Sequence, residues 1–216
     1  MDRNDPLGFY QQVANEAKDK FAPKLNQFND NSALDASFLA TYLNADTELL
    51  DLGSGSGLLI EKIYTIPKSI TCVEPFEEFS KFIVKAPHIK VVNSTIQDFR
   101  TENKFDVISL FGVMLYLPED DARAVYSRLF SLLKPHGVLI VKHQFGLNQD
   151  VVVNKFSEEL GRDYYATYRL LTHEMQLLWK AGFTGVRAID IYPPHKNRWD
   201  NTHAFALVAG NEELRF

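Results

Sequence analysis

Cysteine is nearly absent from this chain. Cys72 stands alone, so an intrachain disulfide or a cysteine metal cluster is excluded. Its place in an apolar, strand-like run reads as an inert core position. Basic charge is also in deficit: 23 Lys and Arg face 28 Asp and Glu, a net charge of −5. Nucleic-acid binders usually carry a basic surplus, so a large phosphate-binding footprint is not expected. Long apolar runs are missing as well. The longest uncharged one, Val107 to Pro118, falls well short of the roughly 20 residues a membrane span needs. The opening Met-Asp-Arg-Asn-Asp-Pro has no apolar core of a secretion signal, which makes the cytoplasm the expected location. His, Asp and Glu form no cluster at metal-ligand spacing, so no metal is expected. No internal repeat or low-complexity tract interrupts the chain. A length of 216 residues suits one domain, or one domain with a lid.

What is present is concentrated in Leu49 to Leu59, reading Leu-Leu-Asp-Leu-Gly-Ser-Gly-Ser-Gly-Leu-Leu. Apolar Leu49 and Leu50 read as the end of a buried strand. Gly53, Gly55 and Gly57 follow at every second position, and Leu58, Leu59, Ile60 and Ile63 then take helical spacing. Strand, glycine turn and helix make the first crossover of a doubly wound sheet, whose ligand sits over that turn. The dinucleotide fingerprint G-x-G-x-x-G does not fit, because the third glycine comes one residue early. Asp51 precedes the first glycine by two residues. A carboxylate there repels a pyrophosphate but suits a ligand carrying an ammonium and a sulfonium. No Lys-Ser/Thr follows the turn, so a P-loop is excluded as well.

D-x-G-x-G-x-G resembles the first motif of the class I S-adenosylmethionine (SAM)-dependent methyltransferases. Downstream segments strengthen the resemblance. Ile70 to Val73 is a strand-like run ending in Glu74-Pro75, 17 residues past Gly57, and a carboxylate at that tip can accept both ribose hydroxyls of an adenosine. The family's fourth motif is similar to Asp106…Leu115-Tyr116-Leu117-Pro118, with Tyr116 in place of a common histidine. Leu132-Leu-Lys-Pro-His-Gly137 and Val138 to His143 match its helix, turn and fifth strand. The resemblance thus runs from about Leu49 to about His143. It implies SAM as cofactor, held by Tyr10 of a leading helix, Asp51, Gly53, Ser54, Gly55, Gly57, Glu74, Pro75, Leu110 and Phe111, with Ile96 on the adenine face and Thr95 or Gln97 at its polar edge. Asp98 stays open as a turn or cap residue.

The fold expected is a seven-stranded doubly wound α/β sheet, strands one to six parallel and strand seven antiparallel, with helices on both faces and an N-terminal helical lid. The expected division is one domain over residues 1–216: a helical cap at 1–48, a cofactor half at 49–143, and a substrate half at 144–209 that includes an insertion at 145–170. Helices are expected over Phe76 to Val84, from Leu117 to Leu133 and over Thr172 to Gly182, with Thr172 as N-cap. A last pair of strands is expected over Phe183 to Tyr192 and Thr202 to Ala209. Phe9, Tyr10, Val13, Ala14, Ala17 and Phe21 recur at helical spacing and give the leading helix one apolar face.

The reaction implied is in-line methyl transfer to an oxygen or nitrogen of a small-molecule acceptor. The tip of the fourth strand reads Leu-Phe-Gly-Val rather than the Asn/Asp-Pro-Pro-Tyr of enzymes that methylate nucleobases or glutamine. Base candidates by location and near-neutral pKa are His143, His203 and His195. Tyr116, Tyr165, Tyr168, Arg169 and Arg198 are acceptor candidates, Tyr164 lying in the same aromatic cluster, and the arginine forks make a small anionic acceptor one expectation. Three other readings stay open: an RNA or protein methyltransferase, an enzyme that cyclises or cleaves SAM, and a silent SAM-binding module.

Overall fold

The computed structural model describes residues 6–24, 30–158, 161–197 and 199–211. Among these residues nine strands and six α-helices form an α/β domain. Seven strands build one sheet in the order β3-β2-β1-β4-β5-β9-β8. These are β1 (Glu48–Leu52), β2 (Ser69–Val73), β3 (Ile89–Val92), β4 (Phe105–Phe111), β5 (Leu133–Gly146), β8 (Gly185–Ile189) and β9 (Thr202–Gly210). Strands β1 to β5 pair in parallel, while β9 runs antiparallel to both β5 and β8. The chain leaves β1 outward through β2 and β3 and returns on the other side as β4. That reversal opens a crevice at the carboxyl ends of β1 and β4, the usual ligand position in such sheets.

Strand period two sorts the core into two layers. Leu50, Ile108, Leu139, Val141 and Leu207 face α5 (Glu119–Leu132) and α6 (Leu171–Lys180), meeting Val125, Tyr126, Leu129, Leu177 and Leu178. Their neighbours Leu49, Val107, Val138, Ile140 and Val208 face α2 (Ser32–Ala40) and α3 (Ile60–Ile63). Both faces of the sheet are therefore dry, as a parallel sheet requires. Helix α5 has a strong start: Pro118 precedes it, and Glu119, Asp120 and Asp121 occupy its positive end.

Several expectations are corrected. Among the described residues two strands stand outside the seven-stranded sheet, because the 145–170 insertion folds as an antiparallel hairpin, β6 (Val151–Ser157) with β7 (Arg162–Tyr168), forming a sheet of its own. The helix expected over Phe76 to Val84 shrinks to α4 (Glu77–Ser80), since Ile83 packs onto the glycine turn: a Cβ at Gly57 would lie 3.0 Å from the Ile83 backbone. Helix α6 begins at Leu171, so Thr172 is inside the helix and caps nothing. Helix α1 (Pro6–Asn15) buries Val13 and Ala14 against Phe79, but Phe21 lies beyond it and is half exposed. Among the described residues no helix is long and apolar enough to cross a membrane.

Candidate functional site

The carboxyl ends of β1, β2, β4 and β5 open into a cleft of about 1170 Å³. Its floor is the glycine turn; its walls are α1, the 3-10 turn Met114–Tyr116, the β6–β7 hairpin and residues 199–202. Sites for one drug-sized ligand run to roughly 300–1,000 Å³. The space here suits a cofactor and an acceptor together.

Gly53, Gly55 and Gly57 all take left-handed backbone, with φ of 75°, 54° and 78°. A Cβ on Gly53 would stand 2.3 Å from Cγ2 of Val113, so this glycine lets the post-β4 segment close on the turn. Above Gly55 the nearest atoms are 3.9 Å away, on Pro23. The turn offers no anion cradle. The Gly53 and Ser54 amides both donate to Val73 O (2.8 and 3.1 Å), Gly55 N donates to Glu74 Oε2 (2.8 Å), and Gly57 N to Ser54 O (3.0 Å).

Two buried carboxylates stand there instead. Asp51 accepts from Ser109 Oγ at 2.6 Å, and burial raises its pKa. Glu74 accepts from Gly55 N and, at 3.2 Å, from Phe76 N; burial is the main cause that pushes it up to about 7, against the two backbone hydrogen bonds. Among the described ion pairs neither carboxylate has a cation. Unpaired buried acids are costly unless a ligand compensates them. A positively charged ligand bearing a vicinal diol fits this donor set, as SAM does.

Of the other cofactor candidates, Tyr10, Ser54, Pro75, Thr95, Ile96, Gln97 and Phe111 line the cleft. The Thr95 hydroxyl is engaged, donating to Asp98 Oδ2 at 2.7 Å in a tight turn. Leu110 is fully buried under α5, because strand alternation aims it away from Phe111, and Gly57 serves packing against Ile83.

The acceptor and base candidates divide sharply. Tyr116 and Tyr168 line the cleft, and so does Tyr164. Tyr165 is on the opposite face of β7, its hydroxyl 3.3 Å from Thr167 Oγ1. Arg169 does not reach the cleft. It is buried against Glu174 and donates to Met114 O (2.7 Å) and Leu117 O (2.8 Å), which pins the turn carrying Tyr116. Arg198 lies outside the described residues. His143 lines the cleft with Nε2 unpartnered, its Nδ1 2.8 Å from Gln144 O. Burial pushes its pKa down to about 4, so the ring is neutral. His203 instead faces Asp190 (2.8 Å) and Asn197 (3.1 Å) near β8, and His195 is exposed on a 3-10 turn; neither lines the cleft.

The structure also brings in residues that sequence reasoning missed. Lys142 pairs with Asp35 of α2 at 2.9 Å and sits over the ring of Phe111, 5.2 Å from its centroid. Tyr192 donates to the same Asp35 carboxylate. A lysine inside an apolar strand, one residue before His143, was the available signal. Val113 after β4, Gln144 near the end of β5 and Thr202 at the start of β9 complete the wall, brought together by long-range pairing.

A family profile described as "Methyltransferase domain" matches residues 27–188 of the 216. No curated protein sequence matches significantly. Among solved structures, a SAM-dependent methyltransferase from Leishmania major is similar at a TM-score of 0.70 and 16% identity, covering 96% of this chain and 86% of its own. The DhpI–S-adenosylhomocysteine (SAH) complex gives 0.67 and 17%, covering 94% and 93%. The glycopeptide N-methyltransferase MtfA, complexed with SAM, gives 0.65 and 12%, covering 82% and 93%. The chain belongs to the methyltransferase-domain family, and its fold is that of the class I SAM-dependent enzymes.

Proposed function

We propose that this protein transfers the methyl group of SAM to a nitrogen or oxygen of a small-molecule acceptor. The observation that carries the reading is the pair of buried carboxylates, Asp51 and Glu74, which have no cation among the described residues, beside a turn whose glycine amides are already satisfied. In this reading Glu74 accepts the ribose hydroxyls, Asp51 faces the positive end of the cofactor, and Ile96 covers the adenine. MtfA and DhpI, whose structures hold SAM or SAH, share this fold and support the choice of cofactor. Bound SAM supplies an activated methyl on a sulfonium leaving group. The chain's own task is to exclude water and hold the acceptor in line. A near-attack geometry of that kind is worth roughly 7–11 kcal/mol of barrier.

Residues 1–48 act as the cap, 49–143 as the cofactor half and 144–209 as the acceptor half of one domain. Helix α1 closes the cleft from one side and the hairpin from the other, joined through the Tyr10 and Tyr164 hydroxyls on Tyr116. The protein acts on soluble metabolites in the cytoplasm. The test is calorimetric titration with SAM and SAH beside a Glu74→Ala control. Micromolar binding that the control weakens by about one to two powers of ten supports the reading. Absence of binding by either ligand refutes it.

A further inference from the structure

Three tyrosines from three distant elements meet in the cleft. Tyr10 Oη of α1 lies 2.7 Å from Tyr116 Oη, which lies 3.2 Å from Tyr164 Oη of β7. The rings pack edge to face, with centroids 5.3 and 6.4 Å apart. Tyr168 joins them from the same face of β7. Burial raises the pKa of Tyr10 and Tyr164 to about 12 and holds that of Tyr116 well above its ordinary value, so all three hydroxyls keep their protons.

A count of protons against lone pairs decides what such a cluster binds. Each hydroxyl brings one proton and two lone pairs. The two hydrogen bonds among these hydroxyls, with a third between Tyr164 and Tyr168, leave at most one donor and at least three acceptor sites. The surplus is of acceptors, and electron-rich rings surround it. A ligand rich in donors and positively charged matches that surplus. Of the cations lining the cleft, Lys142 is committed to Asp35, Lys24 lies 3.8 Å from Asp30, and Lys155, across from Tyr164 on β6, is exposed to water and salt, which screen it. We infer that the acceptor is an amine, received as its ammonium ion against the Tyr10–Tyr116–Tyr164 hydroxyls; this rests on the methyltransferase reading above.

The chemistry agrees with nitrogen over oxygen. An alcohol must surrender a proton as it attacks, and His143, the histidine that lines the cleft among the described residues, is held as a weak base. The ammonium ion must lose one proton before it attacks, and it gives that proton to water far more readily than an alcohol does, its acidity being near that of lysine, about 10.4, which leaves the free amine. Its lone pair then forms the N–C bond while the C–S bond breaks, with the electron pair left on sulfur. The methylated nitrogen carries the positive charge and releases its extra proton to water.

The experiment titrates the full chain, saturated with SAH near neutral pH, with 2-phenylethylamine, 2-phenylethanol and 3-phenylpropanoate. The amine is expected to bind about tenfold or more tightly than either isostere, and Tyr164→Phe to weaken the amine about tenfold while SAH and the alcohol keep their affinities. Equal or tighter binding of the alcohol or the acid overturns the inference. Failure of all three probes, or an amine preference that survives Tyr164→Phe, overturns it too. SAH failing to bind at the outset removes the methyltransferase reading and this inference with it, which separates the two failures.

Discussion

Glu74 gives the sharpest test, because one carboxylate links folding, pH and ligand. It is 5% exposed and its pKa rises from an ordinary 4.5 to about 7, chiefly through burial. The folded state therefore keeps a proton that the unfolded chain has already released. Stability falls as pH climbs from about 4.5 to about 7 and levels off above that. At about 1.36 kcal/mol per pH unit, the ligand-free protein loses roughly 3 kcal/mol over this window through Glu74 alone. Glu74→Gln removes the titration. Its amide can accept from only one of the two N–H groups, Gly55 or Phe76, that the carboxylate serves with separate oxygens, a loss of about 1 kcal/mol. The variant should thus be less stable than the parent near pH 4 by about 1 kcal/mol, about equal to it near pH 5, and more stable near pH 8 by about 2 kcal/mol. Urea unfolding across that range reads the crossing directly. A parent-minus-variant difference that stays constant with pH would refute the burial argument. The sign for binding is opposite: if Glu74 accepts the ribose hydroxyls, SAH affinity weakens as pH drops below about 7, by up to about tenfold per unit.

Two further outcomes follow from contacts alone. Arg169→Met leaves Glu174 buried without its partner and frees the turn bearing Tyr116, so thermal unfolding should register a loss of about 3–5 kcal/mol. The double variant R169M/E174Q should recover part of it, and a fully additive loss would speak against the pairing. Gly53→Ala forces a side chain into left-handed backbone and onto Val113; the loss is about 1–3 kcal/mol for the backbone and a similar amount for the clash. Adding Val113→Ala should return only the second part, as measured by denaturant unfolding.

Much of the cofactor side was legible because it is local. The strand, glycine turn and following acid of Leu49 to Glu74 are consecutive, and each residue type answers a constraint set within a few positions. The acceptor side was not legible in this way. Tyr164, Tyr165 and Tyr168 look alike in sequence, and only the β6–β7 pairing sends 164 and 168 to the cleft and 165 away from it. Arg169 invites a role in anion binding until Glu174 and two carbonyls of the post-β4 turn are seen to use its guanidinium. His143 and His203 both lie on strands at the same edge, yet the Asp190 and Asn197 contacts hold His203 away from the cleft. The helix expected at Phe76 stops short because Ile83 must meet Gly57, a contact between segments 26 residues apart.

The sequence by itself determined the α/β class, the glycine turn and the acids that select its ligand, since period-two apolar strands and a left-handed turn are properties of short segments. Tertiary structure alone decided which side chains face the acceptor. Whether a residue lines a cleft depends on strand parity, helix length and the burial of its charge partner, and these are fixed by elements far apart in the chain.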